Sequence, residues 1–370
     1  MRGFSFFRWN GGSGEIRGSQ VANYIGARVN PTDNYQDDIC IWVKGQPPEE
    51  FPKHSWLDLM DAPQRVSWLL RHRNIGVIAI SKTALNYLTR KLRRFDVRLI
   101  PEHHCNYDRE QRDHDEIRTV GVIGNRNAFH EFNPTITERF AEMGLEFVYQ
   151  TEYRNREDVL RFYRNLDIQT VYRPHIRKVD QHLRNPLKLE NAGSFGIPSV
   201  AYPEEDYAAE FDGCFIPALT IEDIFAQVKR LQEDKILYRD TAQKAQERAE
   251  EYHIEKISKL YLELEGIEPV DYLTKAKLLD KEIVADGRKY QVMGLASFRT
   301  EPRGRGIGRV ALRQFEELAK QEGKFCVFCF CSDDVRDFYI KSGWYLCGRH
   351  GAKNLIASIP LTNVQVSEEW

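Results

Sequence analysis

The chain has 370 residues, of which 42% are hydrophobic and 12% aromatic, so wholesale disorder is excluded and two or three domains are expected. Its 53 basic and 55 acidic residues nearly balance, which argues against a protein that coats nucleic acid. No apolar stretch approaches the roughly 20 residues that cross a bilayer, no signal-peptide pattern opens the chain, and seven cysteines favour reduced thiols. We therefore expect a cytoplasmic protein without a membrane partner.

Short apolar runs alternate with helical stretches from residue 1 to about 115. Strands are predicted at FSFFR, DICIWVKG, NIGVIAIS and VRLIPEH, and helices at Ser19–Ala27 and KTALNYLTRKL. The polar stretch from Asn106 to Ile117 is interpreted as a linker. Residues 1–115 are thus predicted to form one domain with a parallel sheet.

The same alternation resumes between residues 116 and 266. Strands are predicted at RTVGVIGN, LEFVYQ, DIQTVYR and IPSVAYP, with helices between them. Apolar residues at three- and four-residue steps predict one long helix over 236–265, which Gly266 and Pro269 end. The fold class is therefore α/β, with two Rossmann-like doubly wound domains and a cleft between them.

The pattern changes after Pro269 and predicts a small α+β domain over residues 270–370. A β-hairpin is expected around Asp286-Gly287, because Asp-Gly is a strong signal for a two-residue turn. A helix from Gly308 to Gln321, a cysteine-bearing strand, a helix at VRDFYIKSG and two closing strands follow.

Two groups of metal-ligand residue types occur, and neither predicts a metal site. Alternation along a strand places Cys329 and Cys331 on one face and Cys326 on the other, so the three thiols do not converge. The adjacent residues His103, His104 and Cys105 lack a second ligand pair at zinc-site spacing and are interpreted as loop residues. No bound metal is expected.

A glycine- and arginine-rich turn lies between a strand and a helix near the C-terminus. Its residues are Arg303, Gly304, Arg305, Gly306, Ile307 and Gly308. Glycines allow the backbone N–H groups to approach a ligand closely, and the N-terminus of the following helix favours anions. Because the arginines add charge-assisted hydrogen bonds, the turn suits a pyrophosphate.

This segment resembles the GNAT family of N-acetyltransferases. SFRTEPRGRGIGRVALRQFEELAKQ is similar to the family's Arg/Gln-x-x-Gly-x-Gly/Ala motif, and DDVRDFYIKSGWY resembles its second motif. The resemblance implies that the backbone of Arg305–Gly308 holds the pyrophosphate of acetyl-CoA. It also implies that the strand Leu295, Ala296, Ser297, Phe298 binds the pantetheine arm, and that Tyr339 is the general acid toward the leaving thiolate. The alternative for Tyr339 is a packed helix aromatic.

The segment also departs from the GNAT pattern. About a hundred residues follow Gly266, so the first strand and the helices that build the acceptor site are absent or short. No glutamate stands on the strand Gln291–Phe298 to serve as a base. The segment would therefore bind coenzyme A without transfer, or a second copy of the chain or the larger module would complete the acceptor pocket.

Residues 1–265 resemble a compact GT-B glycosyltransferase. The loop SGEIRG (13–18), the turn VGVIGNRN (120–127) and the stretch KLENAGSFGIPS (188–199) carry the resemblance. The last stretch is similar to the lysine-containing Glu-Ala-x-x-x-Gly-x-Pro motif of donor domains, with Asn191 at the usual glutamate position and Glu190 one residue earlier. Phage-encoded glycosyltransferase-like proteins share this variant, which suggests a DNA-modifying context.

The resemblance implies a nucleotide sugar as donor. The residues expected to bind it are Gly14, Arg17, Gly124, Asn125, Arg173, Lys188, Glu190 and Asn191. Lysine neutralises the diphosphate, a helix N-terminus points at it, and a carboxylate accepts ribose hydroxyls. His175 is a further candidate phosphate contact, whereas Asp58 and Asp61 are interpreted as helix caps.

The sequence thus predicts a composite transferase. One module would transfer a glycosyl group, and the other would transfer acetyl from acetyl-CoA to an amine or hydroxyl of a sugar, a modified DNA base or a protein. Two alternatives remain open. One is a coenzyme-A- and nucleotide-binding interaction protein with degenerate sites, and the other is a protein N-acetyltransferase whose larger module serves targeting.

Overall fold

The computed structural model describes residues 2–45, 47–72, 74–92, 97–112, 116–125, 128–129, 134–174, 182–267, 273–301 and 307–367. The described residues fall into two compact units, one of residues 2–87 with 97–267 and one of residues 88–92 with 273–367. Among the described residues, no helix combines the length and apolar character that a bilayer crossing requires.

The first lobe of the larger unit is built on a six-stranded parallel sheet in the order β2-β1-β3-β4-β5-β6. Its strands are β1 (Phe4–Arg8), β2 (Arg28–Val29), β3 (Ile39–Val43), β4 (Ser55–Asp58), β5 (Gly76–Ala79) and β6 (Val97–Leu99). Helices lie at Gly14–Gln20 (π-helical), Val21–Ile25, Gln64–Leu69 and Lys82–Leu92. The central strands β3, β4 and β5 are buried along their whole length, as parallel strands covered on both faces must be.

The second lobe is built on a five-stranded parallel sheet in the order β11-β10-β9-β7-β8. Its strands are β7 (Thr119–Ile123), β8 (Glu146–Gln150), β9 (Ile168–Val171), β10 (Ser199–Ala201) and β11 (Ile216–Pro217). Its helices are Pro134–Glu142, Arg156–Arg164, Leu187–Ser194, Glu205–Glu210, Ile221–Glu233 and Lys235–Ala249. The predicted pair of Rossmann-like sheets is therefore confirmed.

The predicted long helix over 236–265 is wrong, because the chain bends at His253. The helix Lys235–Ala249 ends in a 3₁₀ turn, and a new helix runs from Ile254 to Leu262. His253 adopts an extended backbone with φ −67° and ψ 141°, and its ring accepts a hydrogen bond from the Glu255 N–H at 3.2 Å. Histidine thus caps the second helix, a role that serine, threonine, asparagine and aspartate usually fill.

The bend redirects the chain from the second lobe to the first. The helix Lys235–Ala249 packs on the helix Leu187–Ser194 of the second lobe. After the bend, the Tyr261 hydroxyl donates to Asp58 at the end of β4 at 2.9 Å, and its ring lies 5.4 Å from that of Phe6 in β1. The helical return between the lobes therefore has two segments.

The polar linker prediction is also only partly right. Asn106 is fully buried, and its side-chain nitrogen donates to the Ser194 carbonyl of the second lobe at 2.9 Å. Arg112 donates to Asp167 at 2.9 Å in a pair that is almost completely buried. The segment is polar because it satisfies buried groups of the second lobe.

The smaller unit is a mostly antiparallel sheet in the order β15-β16-β14-β13-β12-β17. Its strands are β12 (Leu273–Ala285), β13 (Arg288–Glu301), β14 (Val327–Cys331), β15 (Tyr345–His350), β16 (Lys353–Ala357) and β17 (Gln365–Val366). Its helices include Ile307–Gln321 and Asp333–Ile340. The hairpin turn predicted at Asp286-Gly287 is confirmed, with φ of 47° and 74° as a two-residue turn of this type requires.

Among the described strands of the smaller unit, only β13 and β14 pair in parallel. They pair over Met293–Leu295 and Val327–Cys329, and beyond that point the two strands separate. On the other side of β13, Ser297 and Phe298 stand opposite the single residue Ala276, and Ser297 has a φ of 53°. This arrangement is a β-bulge that bends β13 where it leaves β14.

Cys326, directly before β14, lies on the opposite face of the sheet from Cys329 and Cys331, as predicted. Cys329 and Cys331 belong to one core cluster with Phe315 and Tyr339, whereas Cys326 belongs to the other with Ile283. In the described part of the chain, no group of three or more histidine, cysteine or acidic residues is arranged to hold a metal ion.

Candidate active site

The carboxyl ends of both parallel sheets border one cavity of about 600 Å³ in the larger unit. In the first lobe it is lined by residues at or just after the ends of β1, β3, β4, β5 and β6, and in the second lobe by residues that follow β7, β8 and β9. Ligands of doubly wound folds bind at this end of the strands. We call this cavity the cleft.

Gly124 and Lys188 meet in the part of the cleft that the second lobe forms. Gly124 follows β7 with a φ of 152°, and a side chain built there would place its Cβ 3.0 Å from Lys188 Nζ. Lys188 stands in the first turn of the helix Leu187–Ser194, whose leading N–H groups have no acceptor within the helix. A bare backbone, an ammonium group and a helix N-terminus therefore face the same space.

Three basic side chains line this part of the cleft, and they differ in their partners. Arg173 forms two hydrogen bonds to Glu204, at 2.6 and 2.8 Å, so its charge is largely neutralised. Neither Lys188 nor Arg184 has a carboxylate within ion-pair distance in the part of the chain that the structure describes. Among the described residues, this end of the cleft thus holds two basic side chains without a directly paired carboxylate, although Glu204 and Glu102 act on Lys188 from a longer distance.

Burial and the neighbouring Arg173 lower the pKa of Lys188 to about 7. Desolvation is the larger cause, because it penalises the charged form of an amine. An anion bound in the cleft would stabilise the protonated form of Lys188 by electrostatic attraction.

Glu102 is a cleft residue that sequence reasoning missed. It follows β6, only 3% of its surface is exposed, and Asn185 Nδ2 of the second lobe donates a hydrogen bond to its carboxylate. Burial raises the pKa of Glu102 to about 7, although Arg17 acts in the opposite direction. The signal in the sequence was its place at the end of the predicted strand VRLIPEH, because ligands of doubly wound folds bind at the carboxyl ends of the strands.

Two predicted ligand contacts, Arg17 and Glu190, lie away from the cleft lining. Arg17 is fully buried and donates to Asp58 at 2.7 Å and to the Pro101 carbonyl. Glu190 is fully buried, and burial raises its pKa well above the ordinary value. Because residues two apart on a helix point in nearly opposite directions, Glu190 cannot share the face of Lys188. A direct ligand contact by either residue is not supported.

Asn191 lies one helical turn after Lys188 and does line the cleft. Its Oδ1 accepts a hydrogen bond from the Cys105 N–H at 2.7 Å, so this oxygen already ties the first lobe's last loop to the second lobe. Its proposed contact with ribose stays a prediction. Asn125 follows Gly124 in the lining and is exposed, with its carbonyl held by the Tyr149 hydroxyl at 2.8 Å.

Gly14 itself is buried beside the cleft, whereas its neighbours Gly12, Ser13 and Glu15 line it. A Cβ at Gly14 would stand 2.0 Å from the Trp9 carbonyl oxygen, so glycine is required for packing. The loop therefore shapes the cleft wall, and a direct ligand contact of Gly14 stays a prediction.

His103 and the two aspartates, Asp58 and Asp61, have structural partners. Both ring nitrogens of His103 lie 3.0 Å from backbone carbonyls, and burial lowers its pKa to about 4. Asp58 is the buried partner of Arg17, and Asp61 pairs with Lys44 at 2.7 Å, so the interpretation of both as helix caps is wrong. His175 lies outside the described residues.

In the smaller unit, the predicted coenzyme-A site is described in part. Arg303, Gly304, Arg305 and Gly306 lie outside the described residues. Leu295 is the last residue of β13 that pairs with β14. Ala296, Ser297 and Phe298 follow where β13 separates from β14. Ile307 opens the next helix, and a Cβ at Gly308 would stand 2.7 Å from the Phe338 ring.

Tyr339 is 6% exposed and lies at the point where the two strands separate. The thiol of Cys329, the last β14 residue paired with β13, lies near its hydroxyl. Burial raises the pKa of this phenol, so it stays protonated at neutral pH. The side chain also packs against Trp344, with ring centroids 5.5 Å apart.

Comparison with known proteins identifies the fold of the larger unit. No protein-family model matches the chain, and no curated protein matches it. Among solved structures, the chain is similar to HepE from Anabaena in complex with UDP and glucose, with a TM-score of 0.52 and 9% identity over 72% of this chain and 100% of that one. It also matches TarM, with a TM-score of 0.43 and 12% identity over 63% of this chain and 51% of that one, so it spans about half of TarM.

An N-acetyltransferase, PaiA from Thermoplasma acidophilum in complex with coenzyme A, matches with a TM-score of 0.18 and 14% identity over 41% of this chain and 84% of that one. A TM-score this low does not establish a shared fold. The parallel sheets of the larger unit and its similarity to HepE thus give this unit a GT-B-like α/β fold, as the sequence predicted.

Proposed function

We propose that residues 2–267 transfer a glycosyl group from a nucleotide sugar bound in the cleft. The observation that carries the proposal is the pair of basic side chains Lys188 and Arg184, which have no carboxylate within ion-pair distance among the described residues, beside the bare backbone of Gly124. A diphosphate is the ligand group that suits these features, because it brings negative charge and several hydrogen-bond acceptors. HepE, which has a similar fold, was solved with UDP-glucose as well as UDP.

The same residues would stabilise the leaving group. Transfer breaks the bond between the anomeric carbon and the diphosphate oxygen, so negative charge develops on the nucleoside diphosphate as it departs. Lys188 and Arg184 would bind this charge more tightly as it grows, and the fixed N-terminus of the helix Leu187–Ser194 would add its dipole. The cleft volume of about 600 Å³ lies in the range of small-molecule sites.

A panel of nucleotide sugars tests this function. We expect the chain to release free nucleoside diphosphate from at least one donor, and Lys188→Met to slow the release by about 100-fold, as removal of one stabilising donor does elsewhere. Lys244→Met is the matched control, because Lys244 is exposed and pairs with Asp240 on a helix surface. Equal rates for both variants, or no release from any donor, would count against the proposal.

A second function, coenzyme-A binding by the smaller unit, is supported by its own geometry. The strands β13 and β14 are parallel and separate after Leu295, which leaves backbone groups of Ala296–Phe298 without a β14 partner. An extended pantetheine arm would pair with such groups as an added strand does. Tyr339 would then stand beside the thioester as a proton donor to the departing thiolate.

Acetyl-CoA and its variants test the second function. Because a ligand of the folded state raises the melting temperature, acetyl-CoA should stabilise the chain, and Gly306→Glu should abolish the shift. If transfer occurs, the acetyl carbon–sulfur bond breaks, the amine or hydroxyl of the acceptor takes the acetyl group, and Tyr339→Phe slows turnover. A shift that survives Gly306→Glu would contradict the assignment of the glycine-rich turn.

A further inference from the structure

A second cavity, of about 540 Å³, opens beside the cleft. One wall is formed by Gln20, Asn23 and Tyr24 of the first lobe, and the other by residues that include Tyr107, Asn155 and Arg156. Glu15, Gln20, Asn155 and Arg156 line both cavities, so a molecule in the second cavity can reach into the cleft. We call this second cavity the side groove.

We propose that the side groove binds the acceptor and that this acceptor is an uncharged carbohydrate. The inference rests on the proposed glycosyl transfer, since it assigns the second substrate of the same cleft. Its evidence is the chemistry of the groove walls and the pairing of every charge on them.

The first-lobe wall presents an amphipathic surface that matches a sugar. Gln20, Asn23 and Tyr24 lie three and four residues apart on one helical face. Tyr24 is 48% exposed, and among the described residues no other protein group forms a hydrogen bond with the side-chain amides of Gln20 and Asn23. Amides donate to and accept from hydroxyl groups, and a tyrosine ring offers an apolar face with a polar tip.

The charged side chains of the groove already have partners. Glu15 lies 3.7 Å from Arg8, and Glu157 accepts from Arg164 at 2.5 Å. Arg156 donates to Asp108 and to the Cys105 carbonyl, and its guanidinium lies 3.6 Å above the Tyr107 ring. In the part of the chain that the structure describes, the groove therefore offers a phosphate no unpaired cation, in contrast to the Lys188 end of the cleft.

This contrast separates the two substrates by charge. A phosphate-rich acceptor such as a nucleic acid would gain no basic partner in the groove, so it would lack the counterion release that favours nucleic-acid binding. A neutral oligosaccharide needs none, because its hydroxyl groups are met by amides and its apolar face by tyrosine. The acceptor hydroxyl would enter the cleft past Glu15, Gln20, Asn155 and Arg156.

Binding of the full chain to an array of neutral oligosaccharides and anionic polymers, including single-stranded DNA and heparin, tests the proposal. We expect at least one neutral oligosaccharide to bind, with an affinity that changes little with salt. Tyr24→Ala and Asn23→Ala should each weaken that binding, Tyr24→Ala by about tenfold. Tyr345→Ala is the matched control, because Tyr345 is 46% exposed but belongs to the smaller unit.

The proposal is overturned if only anionic polymers bind, if no oligosaccharide binds, or if Tyr24→Ala binds as the unaltered chain does. A UDP titration of the same preparations separates this failure from failure of the proposed function. If UDP binds and the neutral oligosaccharides do not, the acceptor inference alone fails. If oligosaccharides bind and neither UDP nor any nucleotide sugar does, the glycosyl-transfer proposal fails.

Discussion

At Lys188, burial and the neighbouring Arg173 act on the same ammonium group and lower its pKa from 10.5 to about 7. At pH 8 most of the unliganded chain therefore carries a neutral amine. A bound diphosphate would raise the pKa again, because a nearby opposite charge favours the ammonium form.

Proton uptake is therefore expected when UDP binds at pH 8, and the affinity for UDP should fall as the pH rises above 7. Calorimetry in two buffers of different ionisation enthalpy measures this uptake. Lys188→Met should remove it, whereas Lys244→Met should retain it. Proton release on binding, or uptake that persists in Lys188→Met, would refute the assignment of Lys188 to the diphosphate.

Glu102 makes the stability of the fold depend on pH. Its pKa rises from 4.5 in the unfolded chain to about 7 in the fold, so the folded state binds more protons between these values. Its stabilising contribution is fully present below pH 4.5 and is lost as the pH rises through 7, a change of about 3 kcal/mol.

Glu102→Gln should remove this pH dependence, because glutamine stays neutral and still accepts from Asn185. The free energy of unfolding of the variant minus that of the unaltered chain should therefore be larger at pH 8 than at pH 5. Urea unfolding at both pH values measures the difference. An unchanged difference would show that the Glu102 carboxyl ionises without cost in the fold.

How far the site was predictable depended on the range of the interaction that places each residue. Gly124 and Lys188 were predicted from the resemblance of their stretches to donor domains, and Arg173 as a basic candidate; all three line the cleft, and their contact with a ligand stays a prediction. Arg17 lies away from the lining because it pairs with Asp58, 41 residues away, and no local pattern predicts such a pair. Glu190 lies away from it for a local reason, since helical geometry places it opposite Lys188.

Among the elements, strands with long apolar runs were predicted and short ones were missed. The strands at residues 4–8, 39–43 and 119–123 were recognised from their apolar runs. The strands β2, β11 and β17 each have two residues, which is too few to show the alternation of a strand. The bend at His253 was missed because buried apolar residues continue across it at Tyr252, Ile254 and Ile257. The step of two residues from Tyr252 to Ile254 is nevertheless a phase break, since one face of a helix repeats every three or four residues.

The helix Leu187–Ser194 holds Lys188 in place through a close approach at its other end. A Cβ at Gly193 would stand 2.5 Å from the Ala245 carbonyl oxygen and 3.1 Å from the Ala249 side chain. The backbone of the two helices would have to move apart to admit it.

Gly193→Val should therefore lower the free energy of unfolding by about 1–3 kcal/mol, the usual cost of overpacking. Gly266→Val is the control, because nothing lies within 4 Å of a Cβ at Gly266. Chemical unfolding of both variants measures the difference. Equal stability would mean that the helices separate without loss, and the close approach would then not fix the position of Lys188.

At the scale of the whole molecule, we expect the two compact units to bind different ligands. Hydrogen exchange of the full chain should show protection by UDP in residues 119–125 and 183–194. Acetyl-CoA should protect residues 293–301 and 307–312 instead. Each ligand acts on its own unit because each completes hydrogen bonds of local backbone groups. Protection of the same residues by both ligands would contradict two separate sites.

The central claim is that a nucleoside diphosphate lies at the Gly124 and Lys188 end of the cleft. A crystal structure of the full chain with UDP tests it most directly. We expect the two phosphates to lie within hydrogen-bond distance of Lys188 Nζ and against the N-terminus of the helix Leu187–Ser194. UDP bound in the side groove, or on the smaller unit with the cleft empty, would contradict it.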